Sequence, residues 1–268
     1  MFKNMKSVLL FSSVAVAVLS SAAAVAEQAA SPHAFTGNVS LASEYLYRGI
    51  AQTRGKPALQ GGFDYAHASG LYAGVWGSNI SWIGDATAGA SASLELDIYG
   101  GYKGSFASDW GYDIGALTDN YPGSGKPVGA AQPDTAEIYG ALSWKWLSLK
   151  YSRSTGSLFG WTKTASATSK TTGSGYLELN AAYDMGDGWG LAGHAGHQSV
   201  NGRGSASYTD YKLGVSKAMS AGTLGLAYSA TNAKANCAAA EDYCFVNTAG
   251  GNYDAGKGRA VLTFSKTF

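Results

Sequence analysis

The chain ends in "GRAVLTFSKTF", residues 258–268, a stretch that alternates between apolar and polar side chains. Ala260, Leu262, Phe264 and Phe268 share one face, while Arg259 and the hydroxyl side chains share the other, as the two-residue period of a β-strand requires. A strand with an exposed edge would pair with other chains. The pattern therefore predicts a last strand that pairs on both sides, as it does in a closed barrel.

The first 26 residues have the organisation of a secretory signal peptide. Two lysines precede an apolar stretch from Val8 to Leu19, and small residues follow as far as Ala26. That stretch is short for a helix that must cross about 30 Å of hydrocarbon, which favours cleavage before Glu27 over a membrane anchor. We therefore predict Sec-type export, a signal peptide over residues 1–26 and a short periplasmic segment over residues 27–34.

The composition is typical of an all-β protein. The chain has 37 glycines, 17 tyrosines and 7 tryptophans but only 5 prolines, and its formal net charge is +1. The absence of a basic excess argues against a nucleic-acid partner. After the signal segment no run of roughly eighteen apolar residues occurs, so entry into a membrane would require a closed barrel.

Alternating segments recur about twelve times between Phe35 and Phe268. The pattern predicts a first strand from Phe35 to Arg48, with Tyr45 and Tyr47 facing lipid in an aromatic girdle. Connections after even-numbered strands are short and those after odd-numbered strands are long. We therefore predict, over residues 35–268, an antiparallel transmembrane β-barrel of about 12 strands with short periplasmic turns and long extracellular loops in the bacterial outer membrane. A soluble β-sandwich would also alternate, but it would not explain the signal peptide, the loop lengths and the aromatic belts together.

Several stretches carry a resemblance to a known family: "SEYLYRG" (43–49), "LYAGVWGSNISW" (71–82), "LELDIYGGY" (94–102) and "YGALSWKWLSLKYSRS" (139–154). Together they resemble the TorF family of proposed porins, over essentially the whole chain after the signal. The resemblance implies an outer-membrane barrel and a channel, without an established substrate or catalytic residue. The end of the chain also resembles the signal read by the barrel assembly machinery, with Phe264 and terminal Phe268, although Lys266 stands where an apolar residue is usual.

If the apolar faces meet outer-membrane lipid, the charged faces line the lumen. The predicted pore-lining residues are Glu44, Arg48, Asp64, Glu95, Asp97, Lys103, Asp113, Glu137, Lys145, Lys150, Glu178, Lys212 and Arg259. Separated charges would set the selectivity of a porin through which small hydrophilic solutes diffuse passively. Charges that pair across the lumen would instead fill it, leaving a non-conducting barrel that binds a ligand or partner through its outer loops. The sequence leaves both alternatives open, as well as the ion selectivity and the oligomeric state.

Three lumenal tyrosines, Tyr99, Tyr139 and Tyr176, could stack against solutes or simply pack the lumen. Cys237 and Cys244 are predicted to form a disulfide in the last outer loop, because exported chains fold in an oxidising compartment.

An enzymatic role has weak support in the sequence. His197 and Ser199 could serve an outer-membrane lipid hydrolase as base and nucleophile, but their spacing alone is weak evidence. The four histidines give no zinc-binding spacing. The sequence therefore predicts a protein that is not an enzyme and uses neither a metal nor a cofactor.

Overall fold

The computed structural model describes residues 31–87, 90–125, 132–163, 168–247 and 251–268. The predicted signal peptide lies outside the described residues, as do residues 27–30 of the predicted periplasmic segment.

Twelve antiparallel strands form one closed barrel, as predicted, in which each strand pairs with its neighbours in the chain and the last pairs with the first. The strands are β1 (His33–Ala42), β2 (Ala58–His67), β3 (Leu71–Asn79), β4 (Leu94–Ala107), β5 (Trp110–Asn120), β6 (Thr135–Trp144), β7 (Leu147–Ser154), β8 (Gly175–Gly186), β9 (Trp189–Ser199), β10 (Tyr208–Met219), β11 (Gly222–Thr231) and β12 (Arg259–Thr267).

The barrel closes between β1 and β12, which confirms the prediction made from the last residues. Val39 lies opposite Lys266, and Leu41 lies opposite Phe264. Phe268, one residue beyond the end of β12, exchanges two backbone hydrogen bonds with Gly37 of β1, of 2.8 and 2.9 Å. The Phe268 ring lies over Gly37, where a Cβ atom would come within 2.6 Å of it. Closure thus leaves no unpaired strand edge in the wall.

The outer surface of the barrel is apolar because side chains of one parity along each strand point outward. The exposed side chains include Leu59, Phe63, Ile98, Ile114, Leu142, Leu179, Leu213, Leu226 and Leu262. Aromatic rings gather where the strands meet the short turns, as between Trp110 and Trp144 (centroids 6.2 Å apart) and between Trp146 and Tyr183 (6.1 Å). Such a band with an aromatic girdle is the surface that barrels present to lipid. None of the helices in the described ranges is long and apolar enough to span a membrane.

The two ends of the barrel differ in their connections. The turns after β2, β4, β6, β8 and β10 are short, whereas the longer loops lie at the opposite end. The described parts of the loops contain α1 (Trp82–Ala86), two single-turn 3-10 helices (Gly204–Ala206 and Cys237–Ala239) and two small hairpins (Leu46–Tyr47 with Ile50–Ala51, and Cys244–Asn247 with Gly251–Asp254).

The prediction for the first strand is wrong at both ends. β1 begins at His33, which pairs with His67 of β2, and it ends at Ala42. Ser43 then accepts a hydrogen bond from the Leu262 amide and donates its own amide to the Leu262 carbonyl, which completes the ladder to β12. The chain turns into the barrel after that point. Tyr45 and Tyr47 are consequently 3% and 8% exposed inside the barrel, and they are not part of an outer girdle.

Deleting Phe268 should weaken closure, because it removes both backbone hydrogen bonds to Gly37 and the ring above it. We expect the free energy of unfolding to fall by about 1–3 kcal/mol, measured by urea unfolding in lipid vesicles. Phe268→Leu keeps the backbone bonds and should cost less than the deletion. Equal stability of the deletion and the intact chain would contradict this account of closure.

Candidate functional site

The candidate site lies in the lumen and at its loop-side rim, and its innermost part is a hairpin that enters the lumen from the loop end of the barrel. We call residues 46–51 the inward hairpin. Its turn is Arg48-Gly49, with φ values of 46° and 77°, and two-residue hairpin turns favour positive φ at both positions. A Cβ at Gly49 would lie 2.6 Å from Thr231 Cγ2 and 2.8 Å from Asp210 Cβ. The hairpin therefore packs against the barrel wall at a point that only glycine can occupy.

Arg48, at the tip, holds the inward hairpin to other parts of the wall. Its guanidinium donates to both Glu137 carboxylate oxygens, at 2.6 and 3.0 Å, and to Gln198 Oε1 at 2.8 Å. The same group lies 4.2 Å from the ring centre of Tyr176. Arg48 and Glu137 are both buried, so neither charge has water as an alternative partner. Such a pair is costly to break by removing one side.

Acidic side chains surround this level of the lumen. Glu95 accepts a 2.6 Å hydrogen bond from the Tyr45 hydroxyl, and Asp97 lies across from Asp119 on the neighbouring strand. Both carboxylate oxygens of Asp119 are buried and have no hydrogen-bond partner among the described residues. The wall near Arg48 thus carries more carboxylates than Arg48 can pair with.

A second network lies on β8, β9 and β10. Tyr176 donates to Asp210 at 2.8 Å, and His194 Nε2 lies 2.9 Å from the other Asp210 oxygen. His194 Nδ1 hydrogen-bonds with Asn180, whose amide nitrogen donates to Glu178 at 2.9 Å. The Tyr176 ring is completely buried and is covered by Arg48, so in this conformation it offers no free face for a solute.

Toward the turn end, the lumenal side chains are mostly only partly buried. Lys150 lies 4.2 Å from the ring centre of Tyr139, which shares a very short hydrogen bond with Tyr72. Tyr72 also donates to Asp113 at 2.7 Å. Tyr99 donates to Asp64 at 2.6 Å. This half of the lumen is therefore lined by tyrosines and charges of both signs.

The loop-side rim contains a compact cluster around Tyr253. Its hydroxyl donates to Glu44 at 2.8 Å and accepts from Arg259 Nε at 3.1 Å, while Arg259 Nε also lies 3.1 Å from Glu44. Burial and the hydrogen bond to Glu44 raise the pKa of Tyr253 to about 12. Through Tyr253, the last outer loop is hydrogen-bonded to Glu44 in the chain segment that follows β1.

Most of the predicted pore-lining residues face the lumen or its rim. These are Glu44, Arg48, Asp64, Glu95, Asp97, Lys103, Asp113, Glu137, Lys150, Glu178, Lys212 and Arg259. Lys145 does not: it lies in the tight turn between β6 and β7, half exposed, with Nζ 4.0 Å from Asp109. The tight reversal requires a positive φ there, 53°, so this residue is outside the wall.

Tyr72, Asp119 and Asp210 also face the lumen, although the sequence prediction did not include them. Simple alternation would have found all three. Asp119 shares the face of Asp113, Asp210 shares that of Lys212, and Tyr72 has the opposite parity to outward-facing Leu71.

The remaining predicted groups lie outside the lumenal networks. His197 hydrogen-bonds with Thr209 at 2.9 Å on the outer side of the wall. A disulfide joins Cys237 and Cys244 in the last outer loop. Within the described ranges, no group of three or more His, Cys, Asp or Glu side chains is arranged to hold a metal ion.

A closed barrel with an apolar exterior and a charged lumen is the architecture of the porin class. The chain belongs to the Gcw_chp family of bacterial proteins of unknown function, whose model matches residues 26–268. The match supports membership of a bacterial protein family, and the TorF name given to the resemblance stays a prediction.

Solved structures of porins resemble this barrel. The KdgM porin superposes with a TM-score of 0.51 at 7% identity, covering 87% of this chain and 98% of that one. The KdgM porin in complex with disordered oligogalacturonate gives a TM-score of 0.49 at 7% identity, covering 87% and 97%. The NanC porin gives 0.46 at 10% identity, covering 87% and 98%. The first likeness shows that the fold is shared. No curated protein sequence matches the chain.

Replacing Arg48 with Met should destabilise the barrel strongly, because it leaves the buried Glu137 carboxylate without its cation. We expect the free energy of unfolding to fall by about 3–5 kcal/mol in urea unfolding. The double variant Arg48→Met with Glu137→Gln should lose less than the sum of the two single variants. Lys145→Met, at the exposed turn, is the matched control and should lose less than about 1 kcal/mol. An Arg48→Met loss as small as that control would contradict a buried ion pair.

Alkaline pH should loosen the rim cluster. Because the pKa of Tyr253 is higher in the folded chain than its ordinary value of 10.0, the neutral phenol is favoured by folding. Its contribution to stability is complete below pH 10 and is lost as the pH rises toward about 12. Tyr253→Phe should flatten this part of the stability profile, whereas Tyr228→Phe on the outer wall should not. A profile of unchanged slope in Tyr253→Phe would contradict the assignment.

Proposed function

We propose that this protein is an outer-membrane channel through which small hydrophilic solutes diffuse passively. The observation that carries the proposal is the continuous series of charged and tyrosine side chains inside a barrel whose exterior is apolar. From the turn end it runs through Lys103 and Lys150 to Asp64, and then to the level of Arg48. Passive passage needs no catalytic group, and we propose that the protein is not an enzyme.

The proposed mechanism is selection by size at the level of Arg48 and by the charge of the lumen. The inward hairpin narrows the barrel at its tip, where Arg48 spans to Glu137 and Gln198. Lumenal and rim carboxylates outnumber lumenal and rim cations among the described residues. Nine carboxylates (Glu44, Asp64, Glu95, Asp97, Asp113, Asp119, Glu137, Glu178 and Asp210) stand against five cations (Arg48, Lys103, Lys150, Lys212 and Arg259). At the rim, the ion pairs Arg54–Asp85 and Arg203–Asp242 add two charges of each sign, and Glu241 adds a carboxylate. Rings of one sign of charge favour counter-ions, so we expect the pore to prefer cations.

The proposed location is the bacterial outer membrane, reached by Sec-type export after removal of residues 1–26. Support comes from the secretory pattern of that segment and from the apolar outer band of the barrel. Outer-membrane lipid and the barrel assembly machinery would then be its partners, the second through the strand that ends in Phe268.

A second candidate function has a specific observation in its favour. The lumenal side chains at the level of Arg48 are buried: Glu95, Glu137 and Tyr176 are each at most 2% exposed. A barrel packed so closely at one level could act without conduction, binding a ligand or partner through its outer loops. The two candidates differ in ion current.

Planar-bilayer recordings of the refolded protein in potassium chloride test the channel. We expect discrete current steps and, under a salt gradient, a reversal potential whose sign shows that K⁺ passes more readily than Cl⁻. Asp64→Asn should move the permeability ratio toward unity, because Asp64 faces the half-open part of the lumen. Asp187→Asn, in the turn between β8 and β9, is the matched control and should leave the ratio unchanged. A silent membrane containing demonstrably folded protein would favour the non-conducting barrel.

A further inference from the structure

A cavity of about 500 Å³ opens at the loop end of the barrel, above the inward hairpin. We call it the vestibule. Tyr47 and Gln198 line it beside the buried Arg48, and Trp82, Trp161 and Tyr243 line it from three different loops. Cavities of roughly 300–1,000 Å³ are typical of sites that hold small molecules.

Aromatic rings provide much of the vestibule lining, and many of them meet edge to face. Trp82 and Tyr121 have ring centres 5.3 Å apart at 86°, and Trp161 and Tyr243 are 5.8 Å apart at 73°. Tyr47 meets Phe159 at 79°. The rings of Trp82, Phe159 and Trp161 are only partly buried, whereas their partners Tyr47, Tyr121 and Tyr243 are buried. Partly exposed aromatic rings are surfaces on which flat, partly apolar solutes stack.

Three buried polar atoms of this lining have no hydrogen-bond partner among the described residues. They are the Tyr47 hydroxyl, the Trp82 indole nitrogen and the Asp242 Oδ2 oxygen. A buried polar group without a partner carries an unfavourable free energy, and such groups in folded proteins call for an explanation. The set comprises an N–H donor, a carboxylate acceptor and a hydroxyl that can do both. A molecule that satisfies all three must itself both donate and accept hydrogen bonds.

The charges of the lining argue against an anionic ligand. Arg203 is a cation of this lining, but it donates to Asp242 at 2.5 and 3.2 Å and lies over the Trp161 ring. Glu241 contributes a further carboxylate, which accepts a 2.7 Å hydrogen bond from the Asn236 amide. An anion would therefore meet carboxylates without an uncommitted cation, and a simple cation would leave the Trp82 N–H unpaired.

We propose that the vestibule binds a short neutral saccharide. Sugar rings present apolar C–H faces that stack on aromatic rings, together with hydroxyl groups that both donate and accept, which matches the lining. The inference names the solute class of the proposed channel and rests on that proposal for its role in transport. Binding itself requires no current and is measured separately.

Isothermal titration calorimetry of the full-length protein, folded in detergent, tests the proposal with four neutral trisaccharides: maltotriose, cellotriose, raffinose and mannotriose. We expect at least one of them to bind saturably. The double variant Tyr47→Phe with Trp82→Phe keeps both rings but removes the hydroxyl and the indole N–H. It should weaken that binding by about tenfold or more, since two hydrogen bonds to buried groups are lost. The matched control, Trp146→Phe with Tyr228→Phe, changes the same residue types outside the vestibule and should bind as the intact chain does.

Three results would overturn the proposal: no saturable binding by any of the four sugars, equal binding by the vestibule variant and the control, or tighter binding of anionic trigalacturonate than of every neutral sugar. The heat-dependent gel mobility of each variant confirms folding, so a null result cannot be assigned to misfolding. Current without sugar binding would reject the saccharide site and leave the channel standing. Sugar binding without current would reject the channel and leave the site.

Discussion

Backbone pairing in an apolar surround is the constraint on which the rest of this structure depends. A wall that faces hydrocarbon must satisfy each backbone donor and acceptor within the chain. The pairing of β12 with β1, extended by the two bonds between Gly37 and Phe268, removes the last unpaired edge. Once the wall is closed, the two-residue period divides the side chains into those on the outer surface and those that face the lumen. Most charges collect in the second set. Arg153, Lys217 and Lys266 face outward, and each lies near the end of its strand.

Collecting charges in a narrow lumen creates the second constraint, because buried charges need partners. Glu137 obtains its cation from Arg48, which reaches it from the inward hairpin and not from a wall strand. The left-handed backbone at Arg48 is unfavourable for a residue with a side chain, by about 1–3 kcal/mol. The two-pronged hydrogen bond to Glu137 and the bond to Gln198 offset that strain. The hairpin and the acidic wall are therefore stable as a pair.

The sequence predicted the barrel and most of the lumenal side chains well, because alternation is a local property that the closed wall enforces at every strand. It failed where the chain leaves the wall without breaking its period. Leu41, Tyr45 and Tyr47 keep the same parity, so the pattern alone extends β1 through a point where pairing with Leu262 has already ended. The sequence feature that indicates this departure from the wall is Arg48-Gly49, a pair compatible with a tight turn. The vestibule was beyond prediction for another reason: Trp82, Trp161 and Tyr243 come from separate loops without any period, and only the fold brings them together.

The vestibule and the level of the lumen that Arg48 spans meet at two consecutive residues. Tyr47 lines the vestibule, while Arg48 holds Glu137 below it. A solute that hydrogen-bonds to the Tyr47 hydroxyl uses an atom that Arg48 does not bind, although the Arg48 guanidinium lies 5.0 Å from the centre of the Tyr47 ring. A ligand shifts a conformational equilibrium only by its difference in affinity for the two states. Occupation of the vestibule would therefore concentrate a solute at the entrance without by itself widening the passage. Binding and conduction are in this way separate properties of neighbouring side chains on one hairpin.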